Sequence, residues 1–340
     1  MDMSIIPKIS QSKSIKGLGL CSGGLDSILA GIMLKKQGID VQWICFETPF
    51  FNAEKAKEAS RLTGIPLIVE NITHIYLKML KNPKQGYGKY MNPCLDCHVL
   101  MFNYAGQLMP DMDADFLFSG EVLGQRPKSQ TRSSLNYIEK NSGYHGYILR
   151  PLSAKCLTKT IPEQQGWVNR EQMMDITGRG RKVQIALAKQ WGITDYPNPA
   201  GGCLLTDFQY TVRLKDLFDK GPYNDDRDLY LLKWGRHFRF QDKYKIIVGR
   251  TKEENFQIHQ YYKDDMDILL VNSDIPGPST LIPYGCDDQT LEIAAKITVA
   301  YTKAPVNELT TVLCFSPHGI ATIQTEPVSK NILKKWMISS

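Results

Sequence analysis

Six residues near the N-terminus, Ser22-Gly23-Gly24-Leu25-Asp26-Ser27, constrain this chain more than any other stretch. The apolar run Gly17 to Cys21 leads into them, and the amphipathic run Ile28 to Lys36 leads out and stops at Gly38. That order is strand, glycine-rich turn, helix. Such a turn gathers backbone N–H groups at one point, and the helix adds the positive end of its dipole. The geometry suits a polyphosphate. The two commonest phosphate loops are absent: no Gly-Lys-Ser/Thr closes a Walker A loop, and there is no Gly-x-Gly-x-x-Gly spacing. The bland alternative is an ordinary strand-to-helix turn with a Ser or Asp cap. It is disfavoured because the six residues form the whole turn without a gap, at the first such turn of the chain.

Hydrophobic periodicity extends the pattern to about residue 120. Strands are expected at Leu18–Cys21, Val41–Phe46, Leu67–Val69 and Phe116–Phe118. Helices are expected at Ser27–Lys36, Ala53–Leu62, Ile75–Leu80 and Leu95–Leu108. Strands separated by helices imply an α/β fold, a parallel sheet with helices on both faces, whose ligands bind at the carboxyl ends of the strands. Ser22 falls at such an end. Two further helical patterns, Arg170–Ile176 and Arg181–Trp191, precede a loop, Pro197-Asn198-Pro199-Ala200-Gly201-Gly202-Cys203. A smaller α+β domain is expected from Gly221-Pro222 onward. The expected division is therefore 1–220 and 221–340.

Charge narrows the partners. The net charge is +6, and between Ser119 and Gln190 twelve Lys and Arg face five Asp and Glu, so this one segment carries the whole excess. A localised basic patch is the footprint of a polyanion partner; the plain alternative is a solvated surface. No apolar run of about 18 residues exists, so no membrane span is expected. Met1 to Lys16 lacks the pattern of a signal peptide, and a cytoplasmic protein is expected. Eight cysteines in that setting read as thiols, metal ligands or catalytic groups rather than a disulfide framework.

Asn92-Pro93-Cys94-Leu95-Asp96-Cys97-His98 places a Cys-x-x-Cys at a helix start, where the dipole favours thiolate. Cys203 supplies a third thiol after two glycines. Three readings stay open. Cys94, Cys97 and Cys203 hold a [4Fe-4S] cluster with one iron open; or they hold zinc, with His98 or a distant residue as fourth ligand; or Cys97 and Cys203 carry out persulfide and disulfide chemistry without a metal. Cys21, Cys45, Cys156, Cys286 and Cys314 read as small buried hydrophobes.

Ser22–Ser27 resembles the PP-loop of N-type ATP pyrophosphatases, which split ATP between its α and β phosphates. The resemblance implies that Ser22, Gly23, Gly24 and Ser27 cradle the pyrophosphate and that Asp26, a catalytic group, holds phosphate or Mg²⁺. The run Ser119-Gly120-Glu121-Val122-Leu123-Gly124-Gln125-Arg126-Pro127-Lys128-Ser129-Gln130-Thr131 is similar to a motif of tRNA 4-thiouridine synthases and puts Gly120 at the nucleotide. The Asn92–Cys97 helix start and Gly201–Cys203 also resemble tRNA 2-thiouridylases. Together the three motifs cover about residues 15 to 210. They imply ATP-dependent tRNA thiolation with catalytic Cys97 and Cys203. Gln125, Arg126, Lys128, Arg132, Arg179, Arg181 and Lys182 are the candidates to contact tRNA.

The family's N-terminal RNA-binding module is not matched, and no rhodanese-like tail is evident, which favours a cluster as holder of the sulfur. The sulfur donor would be sulfide or a cysteine desulfurase. The C-terminal unit, with Lys245–Arg250 and Asp267–Asn272, weakly resembles the NFACT RNA-binding domain; its alternative is a structural or dimerisation role, compatible with a homodimer. Two other functions compete. An amidating or lysidine-type ligase would need no cysteine trio. A non-enzymatic RNA-binding protein would need no intact Ser22–Ser27 loop.

Overall fold

The computed structural model describes residues 14–196, 202–305 and 308–338. Residues 1–13 and the Pro197 to Gly201 part of the expected loop lie outside them. The chain forms two compact units, Met1–Cys203 and Leu204–Ser340. They part before the Gly221-Pro222 turn, because helix Phe208–Lys220, which the sequence reading passed over, groups with the second unit.

The first unit is built on β1 (Lys16–Leu20), α1 (Leu25–Lys36), β2 (Asp40–Glu47), α2 (Glu54–Thr63), β3 (Leu67–Asn71), α3 (Thr73–Lys81), α4 (Cys94–Leu108) and β4 (Phe116–Ser119). Then come α5 (Arg132–Asn141), β5 (Ile148–Leu149), α6 (Ile161–Gln164) and α7 (Lys182–Gln190). The five strands are parallel, in the order β3-β2-β1-β4-β5. The chain steps outward from β1 to β3 and then crosses back to β4. With right-handed crossovers, α1 and α2 cover one face while α3 and α4 cover the other. The direction of travel reverses between β1 and β4, the position where α/β sheets bind ligands.

Core residues follow from that layering. Trp43 on β2 is fully buried beneath Gly31 of α1, where a Cβ would come within 2.7 Å of the indole. Helix α1 reads as amphipathic in sequence but is buried along most of its length, since α2 and α7 flank it. The helix expected over Arg170–Ile176 is not formed. Only Arg170–Gln172 makes a 3₁₀ turn. Met174 and Ile176 instead donate backbone hydrogen bonds to Pro151 and Leu152, so the chain runs extended alongside that segment.

The second unit contains α8 (Phe208–Lys220), α9 (Arg227–Leu231), α10 (Lys252–Tyr261), α11 (Asp288–Ala300) and α12 (Lys330–Leu333). Its strands are β6 (Arg236–Phe240), β7 (Tyr244–Val248), β8 (Ile268–Asn272), β9 (Ser279–Ile282), β10 (Thr310–Ser316) and β11 (Gly319–Thr325). They form an antiparallel sheet ordered β11-β10-β8-β9-β7-β6. Alternate strand residues such as Phe238, Ile246 and Leu270 pack with Ala294, Ala295 and Ile297 of α11. Arg227 and Asp267, both buried, pair through two hydrogen bonds of 2.5 and 2.8 Å.

Candidate active site

The loop between β1 and α1 has the conformation that its glycines allow. Gly23 has φ +71°, and a Cβ there would lie 2.2 Å from the Lys55 carbonyl carbon of α2. A side chain is therefore excluded twice, by backbone conformation and by the helix behind. Gly24 differs: a Cβ there would meet only Ser22 Oγ, at 3.5 Å. Its missing side chain leaves space on the open side of the turn, at the N-terminus of α1. Ser22 is exposed, whereas Ser27 is buried and donates its hydroxyl to the Gly24 carbonyl at 2.8 Å.

The loop after β4 closes on this turn. Gly120 lies so near α1 that a Cβ would approach the Asp26 carbonyl carbon to 2.4 Å. Gln125 Nε2 donates to Asp26 Oδ2 at 2.7 Å, and Gln184 Nε2 donates to Gln125 Oε1 at 3.2 Å. Asp26 Oδ1 is buried with no hydrogen-bond partner. A buried carboxylate oxygen without a donor is costly; a cation or a cation-bound phosphate would satisfy it. On this observation, and on the space above Gly24, the loop fits a nucleotide with its Mg²⁺.

Glu121, next in the same loop, is a hub that the sequence reading left out of the site. It accepts from His98 Nδ1 at 2.8 Å, from Arg150 Nε at 2.9 Å and from Ser119 Oγ at 3.1 Å. Burial alone would raise its pKa, but the Arg150 charge and the His98 contact outweigh burial and hold it at about 2. His98 belongs to the first turns of α4, so one loop touches both the phosphate turn and the helix start that bears Cys94 and Cys97.

The three cysteines converge. Cys94, Cys97 and Cys203 lie within electrostatic reach of one another and of the buried Tyr76 hydroxyl, which hydrogen-bonds Cys97. Cys94 Sγ donates to Asn92 Oδ1 at 3.0 Å. The expectation that the helix N-terminus would favour a Cys97 thiolate is reversed: burial raises its pKa well above the usual thiol value. Three thiols are the kind of donor a cluster takes, one fewer than its usual four. As the side chains stand, no three His, Cys, Asp or Glu among the described residues are arranged to hold a metal ion. Cys21 and Cys45 are buried and pushed up to about 11 and about 12 by burial. Cys156 and Cys286 depart from that pattern: both are half-buried, and Cys156 donates to the Asp175 carbonyl.

The basic candidates separate into two groups. Arg126, Lys128, Arg132, Arg179 and Lys182 are exposed. Arg181 is half-buried, with a buried Nε that has no partner. Gln125 is turned inward onto Asp26 and belongs to the phosphate loop's support rather than to the exposed surface. Tyr76, Arg150 and Gln184 also had no place in the expected site, and His98 was expected there only as a possible zinc ligand. Only Glu121 had a sequence signal, as the acidic member of its motif.

The five-stranded parallel sheet with its glycine-rich turn forms one α/β unit, and the antiparallel sheet belongs to a separate α+β unit. Residues 12–160 match the family model described as thiamine biosynthesis protein (ThiI), and residues 235–337 match the NFACT protein RNA binding domain. A probable tRNA sulfurtransferase of Staphylococcus saprophyticus is 32% identical over 146 residues, covering 40% of this chain and 34% of that protein. The tRNA-specific 2-thiouridylase MnmA of Karelsulcia muelleri is 26% identical over 264 residues, 71% of this chain and 66% of that protein. The matched stretch thus spans about a third of the length of the tRNA sulfurtransferase. A solved structure from Methanocaldococcus jannaschii, titled as a predicted subunit of tRNA methyltransferase, overlaps loosely, with TM-score 0.38 and 16% identity over 63% of this chain and 91% of that one. No described helix is long and apolar enough to cross a membrane.

Proposed function

We propose that this chain thiolates a uridine of tRNA at the expense of ATP. The observation that carries the reading is the loop Ser119–Gln125, which bonds on one side to Asp26 and on the other to the helix start that bears two of three converging thiols. A ligase that forms amides or lysidine has no use for those thiols.

In this reading Ser22, the Gly24 N–H and the N-terminus of α1 hold the pyrophosphate part of ATP. Asp26 Oδ1 would hold its Mg²⁺. The uridine carbonyl oxygen attacks the α-phosphorus, and pyrophosphate leaves. A sulfur nucleophile then adds to the activated ring carbon, and AMP leaves with the former carbonyl oxygen. The carbonyl oxygen is a poor leaving group, and AMP is a good one. The target base must leave its stack to reach the turn. Exposed Arg126, Lys128, Arg132, Arg179 and Lys182 would meet tRNA phosphates, with help from the NFACT-like unit.

Cys94, Cys97 and Cys203 are the residues that would hold a [4Fe-4S] cluster. Such a cluster would supply a holding place for sulfur brought as sulfide or by a desulfurase. Mass spectrometry of tRNA nucleosides from a deletion strain tests the function. Loss of one thiouridine, restored by the wild-type gene and not by Asp26→Ala, is expected. An unchanged nucleoside profile would sink it.

A further inference from the structure

Arg150 has a second environment. Besides holding Glu121, it lines a cavity of about 450 Å³ whose walls include none of Ser22–Ser27, Cys94, Cys97 or Cys203. The cavity lies among α5, β5 and the segment from Ala154 to Thr160. Its cations are Arg132, Lys140, Arg150 and Lys159.

Its two acids are already engaged. Glu139 accepts from the Gly146 N–H at 3.0 Å and faces Arg150 Nη1 at 3.7 Å. Glu163 accepts from the Thr160 N–H and hydroxyl, each at 2.7 Å, and pairs with Arg170. Among the described residues, Lys140 and Lys159 form no ion pair. Arg150 is 3% exposed, and its Nη2 is buried without a hydrogen-bond partner. A buried guanidinium N–H normally has an acceptor. The guanidinium stands 6.0 Å from the Phe102 ring centroid, and Glu139 at 3.7 Å is too far to hydrogen-bond it, so the charge beside the cavity is only partly met, with two unpaired lysines on the same cavity.

We propose that this cavity binds a phosphate group, with the Arg150 guanidinium as the cation of its wall and Lys140 and Lys159 at the rim. A guanidinium charge with flanking ammonium groups suits the oxygens of a phosphate. The volume is within the range of small-ligand sites, so the phosphate can arrive on a larger body. The source is either a free phosphate compound or the backbone of an RNA. The proposal stands whether or not the chain thiolates tRNA.

The test is calorimetric titration of the full chain with inorganic phosphate, after the Ser22–Ser27 turn has been filled with a non-hydrolysable ATP analogue. Binding of the analogue is read first, so failure of the nucleotide turn and failure of this site are seen separately. One additional phosphate site is expected in the wild type, at least about tenfold weaker in the Lys140→Ala/Lys159→Ala double variant, whose melting temperature stays unchanged. Arg150→Lys, which keeps a charge beside Glu121 but loses the guanidinium, should weaken the same site. Competition by tRNA supports an RNA phosphate as the source, and its absence supports a free one. A wild type with no additional site, or a double variant that binds phosphate equally well, overturns the proposal.

Discussion

Gln125 donates its side-chain amide to Asp26 at 2.7 Å, and Gln184 donates in turn to Gln125 at 3.2 Å. The chain of contacts runs from α7 to the first turn of α1. It fixes one carboxylate oxygen of Asp26 and leaves the other buried and open to a cation. Asp26→Ala should abolish pyrophosphate release while the melting temperature stays near that of the wild type. Gln125→Ala keeps the carboxylate but frees its orientation, so turnover should fall roughly ten- to a hundredfold. A pyrophosphate-release assay with tRNA present checks both. Turnover in Gln125→Ala equal to wild type would remove Gln125 from the site.

The two glycines of the turn make opposite demands. Gly23→Ala forces a left-handed φ and a clash with the Lys55 backbone, and should cost roughly 2–4 kcal/mol of stability. Gly24→Ala meets only Ser22 Oγ and should cost under about 1 kcal/mol. It should still weaken ATP binding strongly, because the added methyl occupies the space left for phosphate. Denaturation midpoints and nucleotide affinity, measured on both variants, separate the two effects. A Gly24→Ala variant that binds ATP normally would put the nucleotide elsewhere.

The parallel sheet was legible because each strand is a short apolar run and each connection a helix-period run, from Leu18 to Phe118. The Ser22–Ser27 turn was legible for a local reason: six adjacent residues fix it. What escaped the sequence depends on distant pairs. Glu121 meets Arg150 and His98 across 29 and 23 residues, and Tyr76 meets the thiols with no motif of its own. Helices α5 and α8 had readable starts, since Thr131 and Asp207 accept from the backbone N–H groups of Ser134 and Tyr210. The Arg170–Ile176 expectation failed because Met173 and Ile176, three apart, mimic a helix face while the chain pairs with Pro151–Lys155.

Acid should reveal the Glu121 hub. Its carboxyl is held at about 2 in the folded chain against an ordinary 4.5. Folding therefore favours the ionised form. The stability that Glu121 contributes is complete above pH 4.5 and is lost as pH falls from 4.5 toward 2. The gap corresponds to roughly 3 kcal/mol. Urea unfolding at several pH values should show this loss in the wild type. Glu121→Gln should start lower, since it leaves Arg150 buried without its main counter-charge, and should be flatter across the same window. Parallel acid curves for the two proteins would place the pH dependence in other groups.

Arg126, Lys128, Arg179 and Lys182 are exposed in the same unit as the Ser22–Ser27 turn. If they meet tRNA phosphates, affinity should fall steeply with salt. Each contact removed should lower the slope of log affinity against log salt by about 0.7–0.9. The fourfold alanine variant should therefore lose roughly 3 from that slope, with the fold intact. Filter binding of bulk tRNA across a salt series measures it. A slope equal to wild type would assign the polyanion contact to the NFACT-like unit instead.

Tyr76 sits among Cys94, Cys97 and Cys203, whereas Cys21 and Cys45 are enclosed in the apolar core of the same unit. The two groups of thiols should behave differently. Protein purified without oxygen should be brown and carry about four iron and four sulfide per chain. Alanine at Cys94, Cys97 or Cys203 should remove the iron and the thiolation activity. Cys45→Ala, a core change, should lower stability but leave the iron. Pyrophosphate release should persist in part in the three cysteine variants, because adenylation needs the Ser22–Ser27 turn and not the thiols. A colourless wild type that carries zinc and still thiolates tRNA would end the cluster assignment. A metal-free active protein with a persulfide mass on Cys97 or Cys203 would shift the chemistry to those two thiols. Either result would leave the nucleotide turn untouched, since its contacts run through Gly120, Gln125 and Asp26.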